Sequence, residues 1–293
     1  MPTGLLSTRA RHVYACRDPR YIAWLVTEIS LGSQLVQLCI GRLEQGQFQG
    51  ALVSLLDRIA RRSYRAVITG LNFQQTRHCP MCNWTGFQFE PANQGQFYRF
   101  DATCPRCKSQ ERHRLAYMLL NKRLPARLGK VLHFAPEPCM SKWLGSKSDD
   151  YHTADLLVPT VMHKEDICNM SFADSTFDLV WCSHILEHVA DDHKAMRELR
   201  RVLKPNGLAI IQVPVWGAKT SDEPLNTPEE RVSKYFQEDH VRRYGTDIEN
   251  RLRAADLAVE TLRMGDLDLQ VVLRHGLADL CGTEVFLTSK AAA

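Results

Sequence analysis

The chain has 293 residues, 44% of them hydrophobic and 24% charged, with a net charge of +4 and ten cysteines. That size and apolar content suit one large domain plus a smaller module, and the small, evenly spread charge argues against a dedicated nucleic-acid binder. The start, MPTGLLSTRARHVYACR, lacks the apolar core and small-residue cleavage site of a secretory signal. A cytoplasmic location is therefore expected, where thiols stay reduced and closely spaced cysteines are metal ligands or redox groups rather than a disulfide framework.

Residues 19–43 and 46–66 carry apolar side chains at helical spacing, with Gly46 and Gly50 marking the break, so residues 1–75 read as an N-terminal helical region. Its most apolar stretch, Tyr21 to Leu43, is interrupted by Glu28, Gln34, Gln37 and Arg42, which fits a packed helix and not a membrane span. Arg58, Arg61, Arg62 and Arg65 read as a solvated helix end. Residues 76–110 change to short Cys, Pro, Gly and aromatic segments. A helix follows over Glu111 to Leu124, closed by Pro125 and Gly129. Beyond it, strands are expected at 131–135, 152–157, 177–183, 208–215, 259–264 and 284–290, with helices over 139–145, 191–203 and near 238–256. This alternation predicts an α/β domain over 111–293 with a doubly covered, mostly parallel sheet. The polar segment from Trp216 to Val232 is long for a strand-to-helix connection and reads as a lid or an acceptor-binding element.

The string HCPMC, twenty-one intervening residues after it, and CPRCK give two Cys-x2-Cys turns. Tetrahedral Zn2+ takes four thiolates from two such turns, so Cys79, Cys82, Cys104 and Cys107 are the expected ligands. All four places are filled by cysteine, which marks a closed structural site and moves the chemistry elsewhere.

The stretches FADSTFDLVWCSHILEHVADD and ELRRVLKPNGLAIIQVPV resemble the class I, methyltransferase-11 type of S-adenosylmethionine-dependent methyltransferase, over about Lys130 to Lys290. CPRCKSQERHRL leading into VLHFAPE, together with the later FQEDHVRRYGTD, resembles a bacterial subgroup with an attached zinc ribbon. The resemblance implies a Rossmann-like, mostly parallel seven-stranded sheet with S-adenosylmethionine bound outside the carboxyl ends of its strands. It places His133, Ala135 and Glu137 in the first loop, Asp155 and Leu156 at the ribose, Asp166 and Ile167 at the adenine, and Cys182 and Ser183 near the methionine moiety. The departure is the first loop, where Ala135-Pro136-Glu137-Pro138-Cys139 stands in place of a glycine-rich turn. Glu137 there is either a partner for the cofactor's ammonium group or a surface ion pair, and the missing glycines argue against a pyrophosphate cofactor such as NAD.

Methyl transfer to a hydroxyl requires alignment and removal of a proton, and the candidate bases are His184, His188 and His240, the last leading a helix over the acceptor. Arg242 and Arg243 are either anion contacts or a solvated face. The expected activity is O-methylation of a small molecule or glycan-type acceptor. One alternative is an RNA methyltransferase gripping RNA with the ribbon and a basic cluster of Arg106, Lys108, Arg112 and Arg114. Another is a non-catalytic cofactor-binding or interaction module.

Overall fold

A computed structural model describes residues 76–94, 97–277 and 283–291. The helical pair expected over 19–43 and 46–66, with its basic end, lies outside the described residues. Ile68–Ala293 form one compact unit. Among the described residues no helix is long and apolar enough to cross a membrane.

The unit begins with two small antiparallel ribbons, β1 (Arg77–His78) with β2 (Thr85–Gly86), and β3 (Glu90–Gln94) with β4 (Phe97–Thr103). Helix α1 (Glu111–Leu120) leads into β5 (Lys130–Phe134), α2 (Pro138–Lys147), β6 (Asp150–Asp155), β7 (His163–Lys164), β8 (Phe177–Ser183), α3 (Asp192–Val202) and β9 (Leu203–Gln212). The chain ends with α4 (Pro228–Tyr235), α5 (Ile248–Ala254), β10 (Leu257–Arg263), α6 (Leu269–His275) and β11 (Glu284–Lys290). The sheet has seven strands in the order β10-β11-β9-β8-β5-β6-β7, parallel except for β11, which is antiparallel to both of its neighbours. β5 sits where the order reverses, with β6 on one side and β8 on the other. That is the switch point at which doubly wound sheets open a crevice.

The residue pattern explains the layers. β8 reads FDLVWCS, apolar on both faces, because helices cover both. Leu132, Phe134, Val180, Cys182, Ala209 and Ile211 face α3 and α5 through Met196, Leu199, Ile248 and Leu252. Val131, Leu179, Trp181 and Ile210 face α1, α2 and α6 through Leu115, Met140, Leu144 and Val272. In α3 the side chain of Asp191 caps the Lys194 N–H, and Ala195, Met196, Leu199 and Val202 repeat at helical spacing on the buried side. Gly207, in the KPNG turn of β9, is required by close approach, since a Cβ there would lie 2.8 Å from the Phe177 carbonyl oxygen.

The helix expected near 238–256 is present only over Ile248–Ala254, and residues 236–247 are irregular. Phe236 ends α4 in the left-handed conformation (φ 73°), and the chain then runs back along 215–221, with single bridges Val215–Tyr244 and Ser221–Arg243. These tertiary pairings compete with helix formation, and Gly245 allows them, because a Cβ there would sit 2.4 Å from the Lys219 backbone. The polar segment after β9 is partly helical. Thr227 caps α4 in a capping box with Glu230, and Pro228 takes the first turn.

Candidate functional site

The four cysteines form two superimposable turns. In each, the first cysteine's carbonyl accepts the N–H four residues on, from Asn83 and Lys108, and both of those residues are left-handed (φ 57° and 60°). The turns bring Cys79 Sγ within 3.6 Å of Cys107 Sγ and Cys82 Sγ within 3.7 Å of Cys104 Sγ. A tetrahedral ion with four bonds of about 2.3 Å spaces its sulfurs by about 3.8 Å, close to these two distances, and all four sulfurs lie within 4.8 Å of one another, so the donor set suits zinc. Burial pushes the Cys82 thiol up to about 11, the penalty a cation would remove.

Arg114 of α1, fully buried, fastens this module to the sheet domain. Its guanidinium donates to the carbonyls of Ala102 and Ser109 on one side and of His275 and Gly276 on the other, at 2.7–2.9 Å, and lies 4.0 Å above the Phe89 ring. A buried Arg99–Glu111 pair at 3.1 Å adds a second tie. The expected basic cluster is thereby dispersed. Arg114 is interior, Arg112 is bound to Gln110 and Glu137, Lys108 pairs with Glu90, and Arg106 donates to the Cys82 carbonyl.

At the switch point, the loop after β5 departs from the glycine rule by accepting strain. Ala135 takes φ 46°, and its N–H donates to the Ala154 carbonyl at 2.9 Å. Glu137 caps this loop from inside. His113 Nδ1 accepts the Gln110 N–H, so its proton lies on Nε2 and is donated to Glu137 Oε1 at 2.8 Å, with Arg112 at 3.2 Å from the same oxygen. Burial works to raise the Glu137 carboxyl, but His113, Arg112 and His133 outweigh it and hold it at about 2. Glu137 is thus an internal ion pair, joining α1 to the loop. His133 is interior as well. It bonds Tyr151 through Nδ1 at 2.8 Å, its Nε2 has no partner, and burial lowers it to about 4.

An open cavity of about 380 Å3 lies at the carboxyl end of β6, lined by Ala135, Pro136, Pro138, Tyr151, Thr153 and Asp155, with Val158, Thr160 and Val161 beyond. Asp155 Oδ1 accepts the N–H groups of Leu157 and Val158, which fixes the carboxylate at the strand end, and Leu156 is half exposed beside it. Asp166 is exposed and its Oδ1 accepts the Cys168 N–H, while Ile167 is buried in the core. Cys182 and Ser183, expected near the methionine moiety, are both buried at the end of β8. Cys182 points into the core, where burial raises its thiol well above the usual range, and Ser183 meets Gln212 at 3.4 Å.

The three candidate bases converge after β8. His184 is left-handed (φ 54°), and its Nδ1 stands 3.2 Å from Oε1 of Glu187, a residue only 1% exposed. His188 and His240 meet edge to face, ring centroids 4.7 Å apart, and one ligand atom from each lies within 4.8 Å of a Glu187 oxygen. Burial works to raise the Glu187 carboxyl, yet the His184 imidazole 3.2 Å away and the charge of His188 prevail and hold it low. Burial lowers His240. It lies on the irregular segment 236–247 and not on the expected helix, and the bridges of that segment to 215–221 bring it beside Glu187. Glu187 was missed in the sequence. Its only signal was a glutamate placed between His184 and His188 in HILEH. Arg242 is neither an anion contact nor solvated. It is buried and donates to the carbonyls of Leu186, Val189 and Ala190.

The fold and rim together define a Rossmann-like α/β domain of the kind that holds a nucleoside cofactor at its strand ends. Residues 120–211 match the family model described as a methyltransferase domain. Among curated relatives, methyltransferase GfsG of Streptomyces halstedii is 40% identical over 53 residues, 18% of this chain and 19% of that protein. An uncharacterised protein of Methanocaldococcus jannaschii is 48% identical over 48 residues, 16% of this chain and 21% of that protein. The chain spans about a fifth of the length of the curated relatives it matches. A solved S-adenosylmethionine-dependent methyltransferase from Mesorhizobium loti covers 59% of this chain and 97% of its own at 16% identity, with a TM-score of 0.45.

Proposed function

We propose that the protein transfers a methyl group from S-adenosylmethionine to a hydroxyl of a small molecule or glycan-type acceptor. The observation that carries this reading is the convergence of His184, His188 and His240 on buried Glu187, at the end of the strand beside the switch point. S-adenosylmethionine, when bound, supplies an electrophilic methyl on a sulfonium. Asp155 is set to accept from the ribose hydroxyls, with Leu156 beside it. The strained Ala135 loop, braced from inside by Glu137, lets the backbone approach. Asp166 and the Ser183 end of β8 complete the cofactor contacts in this reading, while Ile167 and Cys182 support them from the core. The histidines around Glu187 orient the acceptor, and an imidazole among them receives its proton. Cys79, Cys82, Cys104 and Cys107 hold a structural zinc ion, and the module so formed brackets α1 and α6.

RNA as acceptor is less favoured, because Arg114 is interior and Arg112 is tied to Glu137, which leaves only Arg106 and Lys108 of the basic cluster at the surface. The test is calorimetry with S-adenosylmethionine on zinc-loaded protein, followed by transfer of labelled methyl to a panel of sugars and phenols. Binding with turnover of a hydroxylated acceptor is expected. Absence of binding would overturn the enzyme reading, and binding without any turnover would favour a non-catalytic module. Metal analysis tests the ribbon, and less than about half an equivalent of zinc with reduced thiols would count against it.

A further inference from the structure

Beyond the proposed reaction, the group around Glu187 has the composition and outer bonding of a second metal centre. Both Glu187 carboxylate oxygens are buried without a hydrogen bond, with His184 Nδ1 3.2 Å from Oε1, an arrangement that is costly unless a cation or proton meets it. Among the described residues no lysine or arginine lies within ion-pair distance of it. The two histidines beside it are turned by outer partners. His240 Nδ1 donates to the Tyr235 carbonyl at 2.9 Å, and His188 Nδ1 stands 3.2 Å from Asp239 Oδ2. The Tyr235 bond fixes the His240 proton on Nδ1 and leaves its Nε2 lone pair free, as a metal-ligating histidine requires, and the Asp239 carboxylate beside His188 Nδ1 favours the same tautomer there. Backbone carbonyl and carboxylate partners are the two usual devices for this, and both occur here.

We infer that Glu187, His188 and His240 bind a divalent transition-metal cation, separate from the four-cysteine site and of a different class. Two imidazoles and one carboxylate suit Zn2+, Fe2+, Co2+ or Mn2+ and, unlike four thiolates, leave coordination positions open. His184 sits against the carboxylate as a positioning residue. Resting on the proposed reaction, with His188 and His240 as ligands in place of bases, the open position takes the acceptor hydroxyl. Its O–H bond ionises with the proton leaving to water, and its oxygen bonds the methyl carbon as the C–S bond of the sulfonium breaks to give a neutral thioether.

The test is titration of Co2+ into protein already carrying one equivalent of zinc. One further equivalent is expected, with the visible absorption of a nitrogen and oxygen site and no sulfur charge-transfer band. Glu187→Gln and His240→Gln should weaken it at least tenfold. Asp239→Asn, at a side chain 63% exposed, should weaken it by about tenfold with the melting temperature unchanged. No second equivalent, a charge-transfer band accounting for all the bound cobalt, or affinity unchanged in both Glu187→Gln and Asp239→Asn would overturn the site. Calorimetry with S-adenosylmethionine on the same samples separates the two claims. Cofactor binding without cobalt binding removes only this centre, and cobalt binding without cofactor binding removes only the proposed reaction.

Discussion

Glu137 and Glu187 follow adjacent strands, β5 and β8, and both are buried among histidines, yet their surroundings differ in one respect. Glu137 has a permanent cation, Arg112, and a fixed donor, His113, on the same oxygen. Glu187 has only histidines, and neither of its oxygens is hydrogen-bonded. A carboxylate matched by a guanidinium has its charge spent, and it serves as a bracket between α1 and the first loop. One faced only by imidazoles keeps its charge available for a proton, a cation or an acceptor. Burial alone does not mark a reacting group; the chemistry of the partner does.

The sharpest way to break this contrast is Glu187→Gln. Methyl transfer should fall roughly 10²- to 10⁴-fold, while affinity for S-adenosylmethionine stays within a few-fold and the melting temperature within a few degrees. A rate within threefold of the parent would make Glu187 another bracket. The next effect belongs to His133 on the Glu137 side. Burial lowers it from 6.5 to about 4, so between those pH values the unfolded chain binds the extra proton and stability falls as pH falls. The loss across that window should approach about 3 kcal/mol from this residue, and denaturant titrations of His133→Gln should lack that part of it. Buried His113 shifts in the same direction, so a shallower slope should remain.

Glu137→Gln comes third. It keeps the shape but leaves Arg112 without its counter-charge, at a cost of about 2 kcal/mol in unfolding free energy. Its carboxyl, held at about 2, contributes stability that is present above the unfolded value of about 4.5 and lost as pH falls towards 2. The variant should therefore also lose the acid limb below pH 4.5. A variant as stable as the parent would show that Arg112 does not need the carboxylate.

Much of this architecture was legible because its causes are local. FDLVWCS over 177–183 and EVFLTSK over 284–290 are strands with those bounds, and Asp191 announced the start of α3. The cysteine pairs were readable because ligand spacing is a local property. The fate of 236–247 was not, since Gly245 and the bridges to 215–221 are tertiary. The capping box of α4 stood in plain view at Thr227 and Glu230, but the polar composition around it reads as loop. The three histidines could be nominated one by one, whereas Glu187 as their common centre depends on a fold that brings residue 240 back to residue 187. Arg106, Lys108, Arg112 and Arg114 look alike in sequence, and only the position of α1 decides that one is interior and another is bound to Glu137.

The smallest predicted effect concerns the first loop, where glycine was expected and Ala135 stands. Alanine at φ 46° sits in the left-handed region at a cost of roughly 1 kcal/mol relative to glycine. Glycine relieves that strain but adds about 0.5–1 kcal/mol of backbone freedom to the unfolded chain, so the two terms nearly cancel. Ala135→Gly should therefore change stability by less than about 0.5 kcal/mol, and removal of the Cβ from the cavity wall should leave affinity for S-adenosylmethionine unchanged or raise it up to about threefold. A tenfold loss of affinity would mean that the alanine methyl itself contacts the cofactor. The bracket at Glu137 would then be holding a contact surface in place and not a path for the backbone.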